Sequence, residues 1–255
     1  MAPDWPLSLL TLMFLAALLA GWVDTLAGGG GLLTLPALLL AGLPPVAALA
    51  TNKAQGFIGP LTATLMLTLK GRLPLVRLAG PVAAAAFAAL LGAQLIRHVD
   101  TSWLHWIIPV LLLGVAVYFF VNPGLGRLAG QARQGEAGYT LTTVPLIAFY
   151  DGAIGPGAGS FYAAAGVVLR GQTLLEATIH AKLFNFTSNV AAMALFAAAG
   201  QVAWPLASAM MLGQFCGATL ASRTMLHGGE KLIRPLVILM CVLMSAAQLY
   251  RLLGR

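Results

Sequence analysis

The chain has 255 residues, of which 60% are hydrophobic and 8% charged, against roughly 25% charged residues in ordinary soluble domains. A water-soluble globular domain is thereby excluded. The formal charge of +7 comes from Lys and Arg scattered singly between apolar stretches, without the clustered stripe that a phosphate backbone requires, so nucleic acid is excluded as a partner. Cys216 and Cys241 lie in apolar segments without metal-ligand or framework spacing and read as buried small hydrophobes. No cofactor is indicated, and no nucleotide-binding loop of the GxxxxGKS/T kind occurs.

In chain order, Leu7 to Leu26 is long enough to cross a hydrocarbon layer, which takes about 20 residues. It lacks the basic flank of a signal peptide and reads as a retained first span. Asp24 and the run Gly28 to Gly31 then interrupt the apolar sequence, since each Gly costs a helix about 1 kcal/mol against Ala. Leu32 to Ala41 is too short to span and returns as half a helix, closed by Gly42-Leu43-Pro44-Pro45. Val46 to Leu69 is expected as one long segment carrying Lys53. Leu75 to Ile96 and Ser102 to Val121 complete the first half, residues 1–121. Residues 122–139, with soluble-loop composition, read as a cytoplasmic linker.

The second half, residues 140–255, repeats the first. Asp151, Gly155 and Gly157 each lie 127 residues after Asp24, Gly28 and Gly30, and Lys182 lies 129 residues after Lys53. Thr140 to Ile154, a break, Phe161 to Leu169, Leu174 to Ala199, Gln201 to Arg223 and Leu232 to Leu253 follow in the same order. If each broken element is a hairpin, three full spans remain per half, and an odd number turns the second half over. Loop charges agree with this. Lys70, Arg72, Arg77, Arg127, Arg133, Arg170, Arg223, Lys231 and Arg234 fall on one side, whereas Arg97, Arg251 and Arg255 fall on the other. The positive-inside rule makes the first side cytoplasmic and puts both termini outside. The expected fold class is an all-α integral membrane protein with two inverted repeats, each a broken-helix hairpin plus three transmembrane helices, a plan recurrent among transporters.

An ionisable residue inside a membrane segment is expensive and faces a partner or a wet cavity. Lys53 and Lys182 therefore have two readings. Each snorkels or neutralises Asp24 or Asp151 as a structural pair, or the two ammonium groups converge with half-helix N-termini on a small anion. Asn52 and Gln55 flank Lys53. Lys182, Asn185 and Asn189 share one helix face, with Ser188 and Thr178 adjacent. These polar groups are candidate anion ligands or interhelical glue. Gly29, Gly30, Gly157 and Gly159 join the candidate site because glycine lets backbone approach a ligand, and Ala at Gly30 or Gly157 is expected to obstruct that ligand with only modest loss of stability. Asp24, Asp151 and His180 are candidates for proton coupling. A weaker pattern, Ser160 in Gly157 to Phe161 with His180 as base, faintly resembles a serine-nucleophile turn, although the first half has no serine at the matching turn.

At Gly28 to Gly31, Pro36, Ala50-Thr51-Asn52-Lys53, His180-Ala181-Lys182 and Asn185-Phe186-Thr187-Ser188-Asn189, the sequence resembles the sulfite exporter TauE/SafE family of membrane permeases over nearly its whole length. The second half departs from the family pattern in having no Pro to match Pro36. The resemblance implies a non-enzymatic, multi-pass transporter of small anions in a bacterial inner membrane, with sulfite, sulfoacetate or a related organosulfur anion as substrate. The rival class is a membrane scaffold or assembly factor whose buried polar groups only hold helices together.

Overall fold

The computed structural model describes residues 5–71, 73, 75–98, 110, 113–114, 116–117, 120–121, 129–226, 233, 235–239, 242–243, 246 and 250. Most of the two segments expected between 102 and 121 and between 232 and 253 therefore lies outside the described residues. Helix α1 (Leu7–Ala27) is followed by α2 (Gly31–Leu40), α3 (Pro45–Gly56), α4 (Ile58–Leu69) and α5 (Leu75–Leu95). The second half continues with α6 (Val144–Ala153), α7 (Ala158–Arg170), α8 (Leu174–Ala198) and α9 (Trp204–Leu226).

Local chemistry accounts for the boundaries. Gly28, at φ 78°, ends α1 in the left-handed conformation and returns its N–H to Asp24 O at 2.7 Å, the usual glycine stop. Pro45 opens α3, where its missing N–H costs nothing. Thr173 caps α8 by accepting the Glu176 N–H at 3.2 Å. Ahead of α6, a helical turn at Glu136–Gly138 and a π-helical turn at Tyr139–Thr143 continue into the helix. The π turn has a cause in Pro145, whose ring would crowd the carbonyl four residues back in regular α geometry. Residues 136–139, expected in the linker, are thus helical.

The expected single segment from Val46 to Leu69 is broken at Phe57, into α3 and α4. Pro60 explains the break, since it cannot donate to Gly56 O and its ring clashes with that carbonyl. With the halves aligned on Lys53 and Lys182, Pro60 corresponds to Asn189. Helix α8, having no proline there, runs unbroken.

The halves interlock. Helix α1 packs most extensively on α9, and α6 on α5, so each half's first long helix lies against a helix of the other half. Glycines permit the approach: a Cβ on Gly217 would collide with Leu18 O, one on Gly92 with Phe149 O and one on Gly152 with Ala89 O. Small residues at helix crossings are how membrane helices pack closely. Helix α8 sits centrally and touches α3, α4, α5, α6 and α7.

Polarity is distributed as a lipid solvent demands. Leu12, Leu15 and Leu19 of α1, Phe87 and Leu91 of α5, and Leu212, Phe215 and Leu220 of α9 are exposed, while Asp24, Lys53, Asp151 and Lys182 are buried. Helices Leu7–Ala27 and Val76–Leu95 are long and apolar enough to cross a membrane by length and composition, whereas α8, equally long, carries the polar series from Lys182 to Asn189. Cys216, expected to be buried, is exposed on α9 beside Phe215, while Gly213 and Gly217 of α9 meet α1. Cys241 lies outside the described residues.

Candidate functional site: a polar cavity between two glycine breaks

The two breaks touch. A Cβ on Gly159 would lie 2.7 Å from Gly28 Cα, and Ser160 Oγ donates to Ala27 O at 2.6 Å. Backbone meets backbone here because neither residue has a side chain. Ser160 is fully buried and held by this bond, and His180 instead contacts Gln172, Nε2 to Nδ1 at 2.8 Å. The serine-nucleophile pattern therefore has no assembled nucleophile and base, and His180 lies apart from the breaks.

Each buried lysine reaches across to the other half. Lys53 Nζ lies 2.7 Å from Asp151 Oδ1 and also donates to Asp151 O; Lys182 Nζ lies 3.5 Å from Asp24 Oδ2 and donates to Asp24 O. Both carbonyls belong to last turns, of α6 and α1, where a cation also meets the negative end of the helix dipole. The two Asp and two Lys balance in charge, and both lysines are about 1% exposed or less. Of the readings open in the sequence, pairing with Asp24 and Asp151 is what this conformation contains.

Around this tetrad lies a cavity of about 30 Å³, room for about two water molecules. Lys53, Asn52, Gln55, Asn185, Asn189, Asp24 and Asp151 border it, with Gly30 and Gly157 from the breaks. Lys182, Ser188, Gly29 and Gly159 stand behind that wall: Ser188 Oγ donates to Asp151 Oδ2 and Gly159 packs on Gly28. Thr178 donates back to Leu174 O at 2.7 Å and takes no part.

The amides are oriented by their own network. Asn52 Oδ1 accepts from Thr34 Oγ1 at 2.5 Å and Gln55 Nε2 at 2.9 Å, and Asn185 Oδ1 accepts from Asn189 Nδ2. With these oxygens occupied, Asn52 Nδ2 and Asn185 Nδ2 have no hydrogen-bond partner among the described residues. The wall thus offers N–H donors, and the start of α2 at Gly31 adds backbone N–H groups that a helix cannot satisfy internally.

Gly28, Gly31 and Gly155, from the two glycine breaks, border the cavity too. Sequence reading missed two members of the wall. Gly56 borders it at the proline-induced break. Gln214 enters it from α9. The signal for Gln214 was available, since a polar residue within an apolar span calls for a partner just as a charged one does.

An apolar exterior, helices broken inside and a polar cavity between the breaks are features of an integral membrane transporter. More specifically, the chain belongs to the sulfite exporter TauE/SafE family, whose model matches residues 13–247, and it is a helical membrane transporter of that family. It is 42% identical over 242 residues to the probable membrane transporter protein ORF9 of a Sinorhizobium species, covering 95% of this chain and 93% of the relative. The probable membrane transporter protein YfcA of Escherichia coli K12 is likewise 42% identical, over 95% of this chain and 90% of its own. A probable membrane transporter protein of Haemophilus influenzae is 38% identical over 97% of both. No solved structure matches the chain.

Proposed function

We propose that the protein is a secondary permease for a small anion, with sulfite, sulfoacetate or a related organosulfur anion as substrate, in the bacterial inner membrane. The family match supports the transport class. The observation that carries the anion is the cavity wall, in which Asn52 and Asn185 keep their oxygens engaged and leave N–H groups beside Lys53 and the start of α2. Asp24 and Asp151 share the wall but are paired with the two lysines; the neutral donors beside Lys53 suit an anion, whose arrival replaces bonds the amides lack. A cavity of about 30 Å³ is too confined for free passage, so entry requires the walls to part. The touching breaks are where two inverted repeats would rock against each other, and Asp24 and Asp151 are the groups whose protonation would couple a proton to the anion.

The scaffold reading retains one supporting observation, the reciprocal Lys–Asp pairs that tie the halves together. Flux separates the two. Purified protein in liposomes is expected to accumulate radiolabelled sulfite down an imposed gradient, and a rate equal to that of empty liposomes would remove the transporter reading. Inverted repeats further predict both termini outside the cytoplasm with residues 122–139 inside, and cytoplasmic activity of a C-terminal reporter fusion would overturn that topology.

A further inference from the structure

Helix α9 contributes a residue to the cavity whose side chain makes no hydrogen bond among the described residues. Gln214 is 2% exposed and borders the cavity. Its Oε1 is buried without a partner, and its Nε2 makes no hydrogen bond among the described residues. The chain clears a path for it: a Cβ on Gly21 of α1 would lie 2.8 Å from Gln214 Oε1, and one on Gly59 of α4 would lie 2.6 Å from it. Two glycines from two helices thus make room for an amide that bonds to neither.

A glutamine retained as interhelical glue bonds to the neighbouring helix, and one retained for packing alone is better replaced by an apolar side chain, because an unmade hydrogen bond in a buried site is costly. Gln214 does neither. We propose that Gln214 is a ligand-contacting residue that donates from Nε2, the end of the amide not seated against Gly21 and Gly59, to an oxygen of the transported anion and selects oxyanions over spherical halides. The inference rests on the anion-permease reading and deepens it. Asn52 lies on α3, Asn185 on α8 and Gln214 on α9, so of the five side-chain amides at the cavity three, from three helices, keep N–H groups unbonded among the described residues. Donors spread in direction match an anion whose charge is divided among several oxygens, and a side-chain amide holds such an oxygen by a directed hydrogen bond. Chloride draws less from that directionality.

The test is calorimetric titration of the purified full chain with sulfite and, separately, chloride. Gln214→Met keeps length and removes the amide. It is expected to weaken sulfite binding by roughly ten- to a hundredfold, the span of a hydrogen bond to a charged group, to change chloride binding far less, and to leave the melting temperature of the unliganded protein equal or higher. Gln214→Glu keeps the shape and is expected to lose sulfite binding by charge repulsion, which guards the test should Met repack poorly. Unchanged sulfite affinity and selectivity in Gln214→Met, with a lowered melting temperature, would make Gln214 a packing residue and overturn the assignment alone. If the unmodified chain binds no sulfite, the permease reading fails first and this assignment falls with it.

Discussion

Asp24 and Asp151 hold matching places in the two halves but have different partners. Asp151 takes Lys53 at 2.7 Å on one oxygen and Ser188 on the other. Asp24 accepts the Gly30 N–H at 3.0 Å, capping the start of α2, and holds Lys182 only at 3.5 Å. The polar lining is unequal in the same way. Aligned on the two lysines, Asn185, Ser188 and Asn189 of the second half fall where the first half has Gly56, Gly59 and Pro60, while Asn52 and Gln55 fall where the second half has Ala181 and Phe184. Duplication thus repeats the breaks and the charges, whereas the amides complement one another across the cavity. The first half has Gly56 and Gly59 where the second has Asn185 and Ser188, and a Cβ on Gly56 would lie 3.6 Å from Asn189 Oδ1.

The largest effects are expected from unequal removal of the two lysines. Lys53→Met strands Asp151, 1% exposed, without its cation, and breaking a buried pair by removing one partner costs about 3–5 kcal/mol. Lys182→Met should cost less, because Asp24 keeps its backbone N–H and is already the more loosely paired. Thermal melting in detergent should therefore rank Lys53→Met below Lys182→Met, and Lys53→Met/Asp151→Asn should recover part of the loss. Equal melting losses in the two single variants would show that the two pairs are equivalent. From the sequence alone, Met at either lysine is expected to abolish anion binding and leave the fold assembled; the pairing makes Lys53→Met primarily a stability variant, and Lys182, standing behind the cavity wall, is expected to affect binding only through Asp24.

Much of this framework was legible because the chain is so apolar. Glycine runs, two aspartates and two lysines stand out against it, and their spacing carries the duplication. That the lysines pair with the aspartates was legible as one of two readings; which half supplies each partner was not, since a period says only which positions match. The break at Phe57 had its cause in Pro60 but was hidden by the resemblance of Val46 to Leu69 to the uninterrupted Leu174 to Ala199. His180 was overread for its nearness to Lys182: two residues along a helix turn a side chain by about 200°, away from the shared face. Gln214 was underread because it belongs to no repeat.

Intermediate effects are expected where the two breaks differ in backbone. Gly157 precedes α7 at φ 82°, whereas its partner Gly30 has φ −58°. Alanine at Gly157 meets the left-handed penalty, about 1–2 kcal/mol. Alanine at Gly30 meets no such penalty but sets its Cβ 2.7 Å from Asp24 Cβ and 2.9 Å from Ala20 O. Both variants are therefore expected to melt clearly below the unmodified protein, contrary to the modest loss expected from sequence. Melting curves within a degree or so of the parent for Gly157→Ala would remove the strained turn from the account.

The smallest effect on stability, and the sharpest on ligand, is expected at Gly31. It begins α2, borders the cavity, and has no positive φ. A Cβ there would lie 3.5 Å from Asn52 Nδ2 and 3.7 Å from Pro156 Cα, which is ordinary contact. Alanine is the better helix former by up to about 1 kcal/mol, so Gly31→Ala should fold as well as the parent or slightly better. The added methyl nevertheless occupies the space between the α2 N-terminus and the Asn52 amide, where the proposed anion would accept from both. Sulfite affinity should fall severalfold at unchanged melting temperature, separating ligand obstruction from loss of packing in a way that neither Gly30→Ala nor Gly157→Ala can. Unaltered sulfite binding in a well-folded Gly31→Ala would move the anion away from the first break and leave the second half's amides as its principal hosts.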